Sequence, residues 1–310
     1  MKKRLGWILR VVITVGALVW IARRVDLGAA RHAMARIPVY ALLLAIALVA
    51  GNVVAGAVRW RVLMRAYGAT RIPGLAALVR MYFAAFFYNN YLPGAVAGDV
   101  ARGVITRDAF GEEGATGALA TVLVERALGL FGLFALLAIG LCTTPGALDR
   151  RGLWWWTVLG SLGSLALVAG IPLARTIGSK LPARIARIAG KLPSLRSGRA
   201  FAEAIALSVA TQALIAAAGW VLLVQLAPIA PTASLLVIPL AAATAFLPIT
   251  VGGAGAREAV YVGLCGSLFG MPEADALAAS LGLWLAHLVV GAAGGISQLL
   301  GRSAPRRERA

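Results

Sequence analysis

Two glycine-centred clusters and one pair of adjacent opposite charges hold most of the polar chemistry of this chain. The first cluster is YNNYLPGAVAGDVAR, residues 88–102, which carries Asn89, Gly98, Asp99 and Arg102. The second is FLPITVGGAGARE, residues 246–258, with Gly253, Gly255, Arg257 and Glu258. The pair is Glu125–Arg126 in TVLVERALGLFG. A helix that restarts after a Pro/Gly break offers unpaired N–H groups and a positive dipole end, which together suit an anion. Glycine lets backbone approach an oxygen ligand closely. Arg102 and Arg257, in the first turn of each restart, suit a phosphate through forked hydrogen bonds. Glu125 and Arg126 sit about ten residues into an apolar segment, roughly 15 Å deep at ~1.5 Å per residue. A charge at that depth costs at least ~2.5–3.5 kcal/mol. Adjacent helical residues point about 100° apart, so each needs a different partner. The candidates are Arg102 or Arg257 for Glu125, and Asp99, Glu258 or a ligand phosphate for Arg126. These ten residues form the expected substrate-binding set. The competing readings are glycines that only permit tight packing and charges that form a purely structural network.

Other chemistries find no residues here. There is no G-x-x-x-x-G-K-[ST] run and no H-E-x-x-H, and GGAGARE follows no strand. No Ser, Cys or Thr has recognisable triad context. Cys142 and Cys265 lack metal or redox spacing and read as small core residues. The expectation is therefore a non-enzyme with no catalytic residue, metal or cofactor. His287, beside Trp284, suits a proton relay, but a lone histidine reads better as a hydrogen-bonded packing residue; His32 lies in a loop. Asn52, Asn90 and Gln212 either line a cavity or join helices. Gly129 and Gly132 read as packing positions.

The elements that must position these residues are membrane helices. The 310 residues are 60% hydrophobic and 14% charged, with apolar runs such as Val39 to Val58 and Ile205 to Leu226. Hydrophobic segments fall near 5–22, 38–58, 75–91, 115–141, 153–173, 201–227, 234–250, 256–270 and 276–300. Strand alternation is absent, which argues against a membrane barrel. The net charge of +18 is read as basic cytoplasmic loops rather than as nucleic-acid binding. The N-terminus lacks a cleavage site and reads as an uncleaved first helix.

At an offset of 155, Leu92, Pro93, Val96, Gly98, Ala101 and Arg102 fall on Leu247, Pro248, Val251, Gly253, Ala256 and Arg257. The same offset superposes the main hydrophobic segments, so the chain reads as one transmembrane domain built from repeats 1–155 and 156–310. If each break re-enters on the side it left, the inside pieces carry 21 Lys and Arg and the outside pieces 7. The positive-inside rule then predicts two inverted repeats, each with three transmembrane helices and one re-entrant hairpin, both termini being cytoplasmic. The discordant piece is loop 23–37, which puts four Arg outside. Loop 174–200 reads either as a basic surface helix on an anionic leaflet or as a solvated loop. Trp154 to Trp156 read as an interfacial anchor.

The ordered set Arg59-Trp60, Asn89, Leu92-Pro93, Gly98-Asp99, Arg102, Glu125-Arg126, Leu247-Pro248, Gly252-Gly253, Gly255 and Arg257-Glu258 resembles a family. It is that of flippase-like integral membrane proteins sharing the lysylphosphatidylglycerol synthase transmembrane region. Ala97 departs from the family's usual glycine. The resemblance implies a bacterial cytoplasmic (inner) membrane location and translocation of an anionic or phosphate-bearing lipid (phospholipid, polyprenyl or hopanoid) through a midplane polar site. The soluble aminoacyl-transferase domain of full synthases is not expected here. The alternative is a non-transporting accessory subunit of a lipid-modifying or glycosyl-transferring enzyme.

Overall fold

The computed structural model describes residues 2–91, 96–144, 150–178, 182–244 and 253–302. Among them the regular structure is entirely helical. The helices are α1 (Lys2–Arg24), α2 (Leu27–Arg36), α3 (Val39–Ala66), α4 (Leu75–Tyr91), α5 (Ala97–Ile105), α6 (Gly114–Thr143), α7 (Arg150–Ile177), α8 (Ala183–Ala189), α9 (Gly198–Leu223), α10 (Pro231–Ala243), α11 (Ala256–Phe269) and α12 (Glu273–Arg302). A 3-10 stretch, Arg107–Glu113, joins α5 to α6.

Among the described residues, five helices are long and apolar enough to cross a membrane: α3, α6, α7, α9 and α12. The predicted first segment is helical throughout. Helices α4, α5, α10 and α11, with 17, 9, 13 and 14 residues, fall short of the ~20 residues a span needs. They flank the two breaks in pairs. Outward faces of α3 and α7 carry exposed Val39, Leu43, Trp155, Trp156 and Leu162, side chains that a hydrocarbon solvent tolerates and water does not. The chain is an all-α polytopic membrane protein.

The order of elements runs twice, α1–α6 and then α7–α12, with corresponding helices close to the predicted offset. Packing crosses between the two runs. Helix α3 packs along α9, α4 packs on α12, and α10 packs on α6. Glycine makes these contacts close: a Cβ at Gly294 of α12 would stand 2.2 Å from the Phe83 carbonyl oxygen of α4. At Gly132 of α6 it would stand 2.7 Å from the Ser208 carbonyl oxygen of α9. Without a hydrophobic drive between helices in lipid, such backbone approach is what holds them.

Several boundaries and assignments differ from expectation. Helix α3 runs two turns beyond Val58, to Ala66. Residues 27–36, read as loop, are helical because Asp26 caps them, accepting hydrogen bonds from the Gly28 and Ala29 amides at 2.7 and 3.0 Å. Two of the four arginines of 23–37 meet the first turn of α12: Arg24 pairs with Glu273 at 2.8 Å and Arg36 with Asp275 at 2.7 Å. Cys142 is exposed at the end of α6, not in the core; Cys265 is buried as expected. The break tips, including Leu92, Pro93, Leu247, Pro248, Val251 and Gly252, lie outside the described residues.

Candidate functional site

A cavity of about 710 Å³ is lined by α3, α4, α5, α6, α9, α10, α11 and α12. Seven of the ten expected residues line it: Asn89, Asp99, Arg102, Glu125, Arg126, Gly253 and Arg257.

Glu125, twelve residues into α6 and 2% exposed, is the anchor. Its Oε2 accepts from Arg102 Nη2 at 2.6 Å. Its Oε1 accepts from Arg59 Nε and Nη2 at 3.2 and 3.1 Å, and the Tyr82 hydroxyl donates to the same oxygen. Arg102 also donates to the Tyr82 hydroxyl and to Asp99 Oδ1 at 3.3 Å. Its guanidinium lies 4.4 Å from the ring centroid of the fully buried Trp60 and 4.1 Å from that of Tyr82. Aromatic faces on a desolvated guanidinium are worth up to ~2 kcal/mol. Arg126, on the neighbouring helix face, donates through Nε and Nη2 to Asp99 Oδ2 at 3.0 and 2.5 Å. The expected divergence of Glu125 and Arg126 is thus realised, with Arg102 and Asp99 as partners.

The two helix restarts are capped by the chain's own groups. The Gly98 amide donates to Asn89 Oδ1 at 2.9 Å. A Cβ at Gly98 would stand 2.1 Å from the Ala85 carbonyl oxygen, so glycine here serves the α4–α5 contact. Gly255 has φ +81°, and its amide donates to Glu258 Oε2 at 2.7 Å. Glu258 Oε1 accepts from Arg257 Nε at 2.9 Å. Gly98, Gly255 and Glu258 accordingly stand behind the cavity wall rather than on it. The Gly98 and Gly255 amides are thus taken by the chain's own side chains.

Among the described residues, four arginines (Arg59, Arg102, Arg126, Arg257) line the cavity with two carboxylates (Asp99, Glu125), and a third, Glu258, pairs with Arg257 behind the wall. One positive charge is in excess. Side-chain exposure ranks the arginines at 30% for Arg126, 19% for Arg257, 13% for Arg59 and 3% for Arg102. Arg126 and Arg257 are the most exposed of the four, and Arg102 is the most deeply buried.

Sequence reasoning missed Arg59, Tyr82 and Thr211 as cavity residues. Arg59 directly follows the apolar run Val39 to Val58, and the signal for it is the unbroken helical pattern through Trp60. Thr211 Oγ1 accepts from Arg59 Nη1 at 3.1 Å, a contact between α3 and α9 that no local pattern announces. Gln212 and Asn52 are in the wall, as is His287. His287 also makes the packing contacts expected of it, bonding the Leu283 carbonyl at 2.8 Å and stacking on Phe86.

Membrane-length helices around a cavity lined by charged side chains define an integral membrane protein with a polar interior. The chain belongs to the family of the lysylphosphatidylglycerol synthase TM region, whose model matches residues 7–295. No curated protein matches the chain.

Proposed function

We propose that the protein is a lipid translocase that carries an anionic or phosphate-bearing head group through this cavity while the hydrocarbon tails stay in the bilayer. The observation that supports this best is the excess positive charge in a cavity of about 710 Å³, walled by helices whose outer faces are apolar. A volume of that order suits one head group. A net cation in a low-dielectric interior is costly unless an anion joins it. Arg126 and Arg257, from opposite halves, are the phosphate ligands of this reading. Inverted repeats would rock about the cavity to alternate access, in a bacterial cytoplasmic membrane with both termini inside. The two ion pairs of Arg24 and Arg36 offset part of the discordant outside charge. The reading assigns no covalent step to the chain.

The test is head-group flipping in proteoliposomes made with pure protein. Arg126→Gln combined with Arg257→Gln should abolish it, and rates equal to wild type would remove the proposed site. The accessory-subunit reading is supported by the complete hydrogen bonding of Glu125. It predicts no flipping by the pure protein, a stable co-purifying enzyme and tolerance of a neutral Glu125→Gln, Arg126→Gln pair.

A further inference from the structure

Among the described residues of 174–200, none lines the cavity, yet this basic segment between α7 and α9 is built into the protein. Ala189 of α8 is buried, and a Cβ at Gly178, at the end of α7, would stand 2.5 Å from its Cβ. Arg175 of α7 donates through Nη1 to the Leu192 carbonyl at 2.5 Å and to Glu113, the residue before α6, at 2.9 Å. The Arg196 amide donates at 2.7 Å to the carbonyl of Ala66, the last residue of α3. Gly68, with φ +76°, makes room for the Arg196 stem: a Cβ there would stand 2.8 Å from its Cγ. The segment is therefore tied to the end of the bundle where α3 stops, α6 starts and α7 stops. A freely solvated loop has no such ties.

Its outward side mixes two kinds of side chain. Ile188 is 60% exposed and Leu195 45%. Leu173 and Ile177, in the last turns of the membrane-length helix α7, are exposed as well, and the contact of Ala189 with Gly178 brings α8 to that part of α7. Arg187, Lys191 and Arg196 are exposed in the same stretch. Among the described residues no carboxylate pairs with these three; Glu113 and Glu203 are taken by Arg175 and Arg199. A soluble anionic partner would account for the charges and leave the aliphatic side chains in water. A leaflet accounts for both: aliphatic groups enter the acyl boundary while the cationic heads stay with lipid phosphates. We propose that residues 187–196 form a docking surface for anionic phospholipids of the leaflet at this end of the bundle, with Ile188 and Leu195 at the acyl boundary. This goes beyond the translocase reading and does not depend on it. Arg175 and Glu113 join the docked surface to the start of α6, the helix that carries Glu125 and Arg126.

The experiment puts a bimane fluorophore on Ile188→Cys in a Cys142→Ser background, Cys265 being buried. The full chain is reconstituted in nanodiscs of equal phosphatidylcholine and phosphatidylglycerol, with chain bromines on one lipid or on the other; bromine quenches a fluorophore that it touches. One basic side chain near an anionic surface is worth roughly 5-fold. Quenching by brominated phosphatidylglycerol should therefore exceed that by brominated phosphatidylcholine by about 5-fold or more. Arg187→Gln combined with Lys191→Gln should lower this ratio several-fold; both side chains are exposed and unpaired, so the fold is kept. A bimane on Leu162→Cys, on the exposed middle of α7, should be quenched equally by the two lipids. Equal quenching at Ile188, a ratio that the double variant leaves unchanged, or the same excess at Leu162 overturns the proposal. So does quenching by aqueous iodide with none by either brominated lipid, the result expected of a solvated loop or of a surface for a soluble anionic partner.

Discussion

Asp99 and Ala254 occupy matched positions at the two breaks, 155 residues apart, and their surroundings explain the difference. Asp99 faces Arg126 of α6. The residue 155 further on from Arg126 is Leu281, that from Glu125 is Ser280, and that from Tyr82 is Val237. Among the described residues, the second half has no counterpart of Arg126 to receive a carboxylate at 254. Its arginine is instead balanced by the next residue, Glu258, which also caps the helix restart. One half is a cross-linked network over four helices; the other is a local pair on one. Matching backbone order therefore coexists with divided labour: the first half fixes geometry, and the second supplies Arg257 on a shorter leash.

The comparison can be broken most forcefully at the two glutamates. Glu125→Ala strands Arg59 and Arg102 without a counter-charge and should cost ~3–5 kcal/mol, read as a large fall in unfolding temperature in detergent. Glu258→Ala should cost less, about 1–3 kcal/mol, because Arg257 is partly exposed to the cavity. Equal losses would remove the distinction between network and pair. Next, Gly98→Ala forces α5 away from the Ala85 backbone and should cost about 1–3 kcal/mol; the same assay checks it. The smallest effects are electrostatic and sharpen the comparison from both sides. Asp99→Asn raises the cavity charge, and Ala254→Asp cancels its excess. Retention of phosphatidylpropanol should rise in the first and fall in the second, each by about 5- to 30-fold for ~1–2 kcal/mol of Coulomb energy at an effective dielectric near 20–40. Native mass spectrometry would read both.

Much of this was legible in sequence because lipid enforces simple rules. Helical spans announce themselves by length and hydropathy, and predicted segments such as 75–91 and 115–141 lie within two residues of α4 and α6. Intramembrane charges must find partners, which limits Glu125 and Arg126 to a few choices that include Arg102 and Asp99 but not Arg59. What escaped was whatever depends on which helices touch. Arg59 became a cavity residue because α3 continues beyond its apolar run and crosses α9. The hydrogen bond from Asn52 to the Thr211 carbonyl is set by the same crossing. The close neighbours that Gly98 and Gly255 admit are Ala85 and Ala17 of α1, while Gly253 lines the cavity. Spacing reveals that something must come near and does not reveal what.

The exchange of partners between the two runs of helices has a consequence for how the chain is made. Helix α4 emerges early in synthesis, yet its packing surface is α12, and the Phe83 backbone has no seat until Gly294 has been added. Some two hundred residues separate the two. During that interval a short, polar-ended helix waits in the membrane with its contact face unfilled, a state exposed to quality-control proteases and dependent on insertion machinery. Truncation within α12 should therefore be felt first at α4, at the far end of the chain in sequence. The two halves, synthesised as separate polypeptides, should yield a stable protein only when made together.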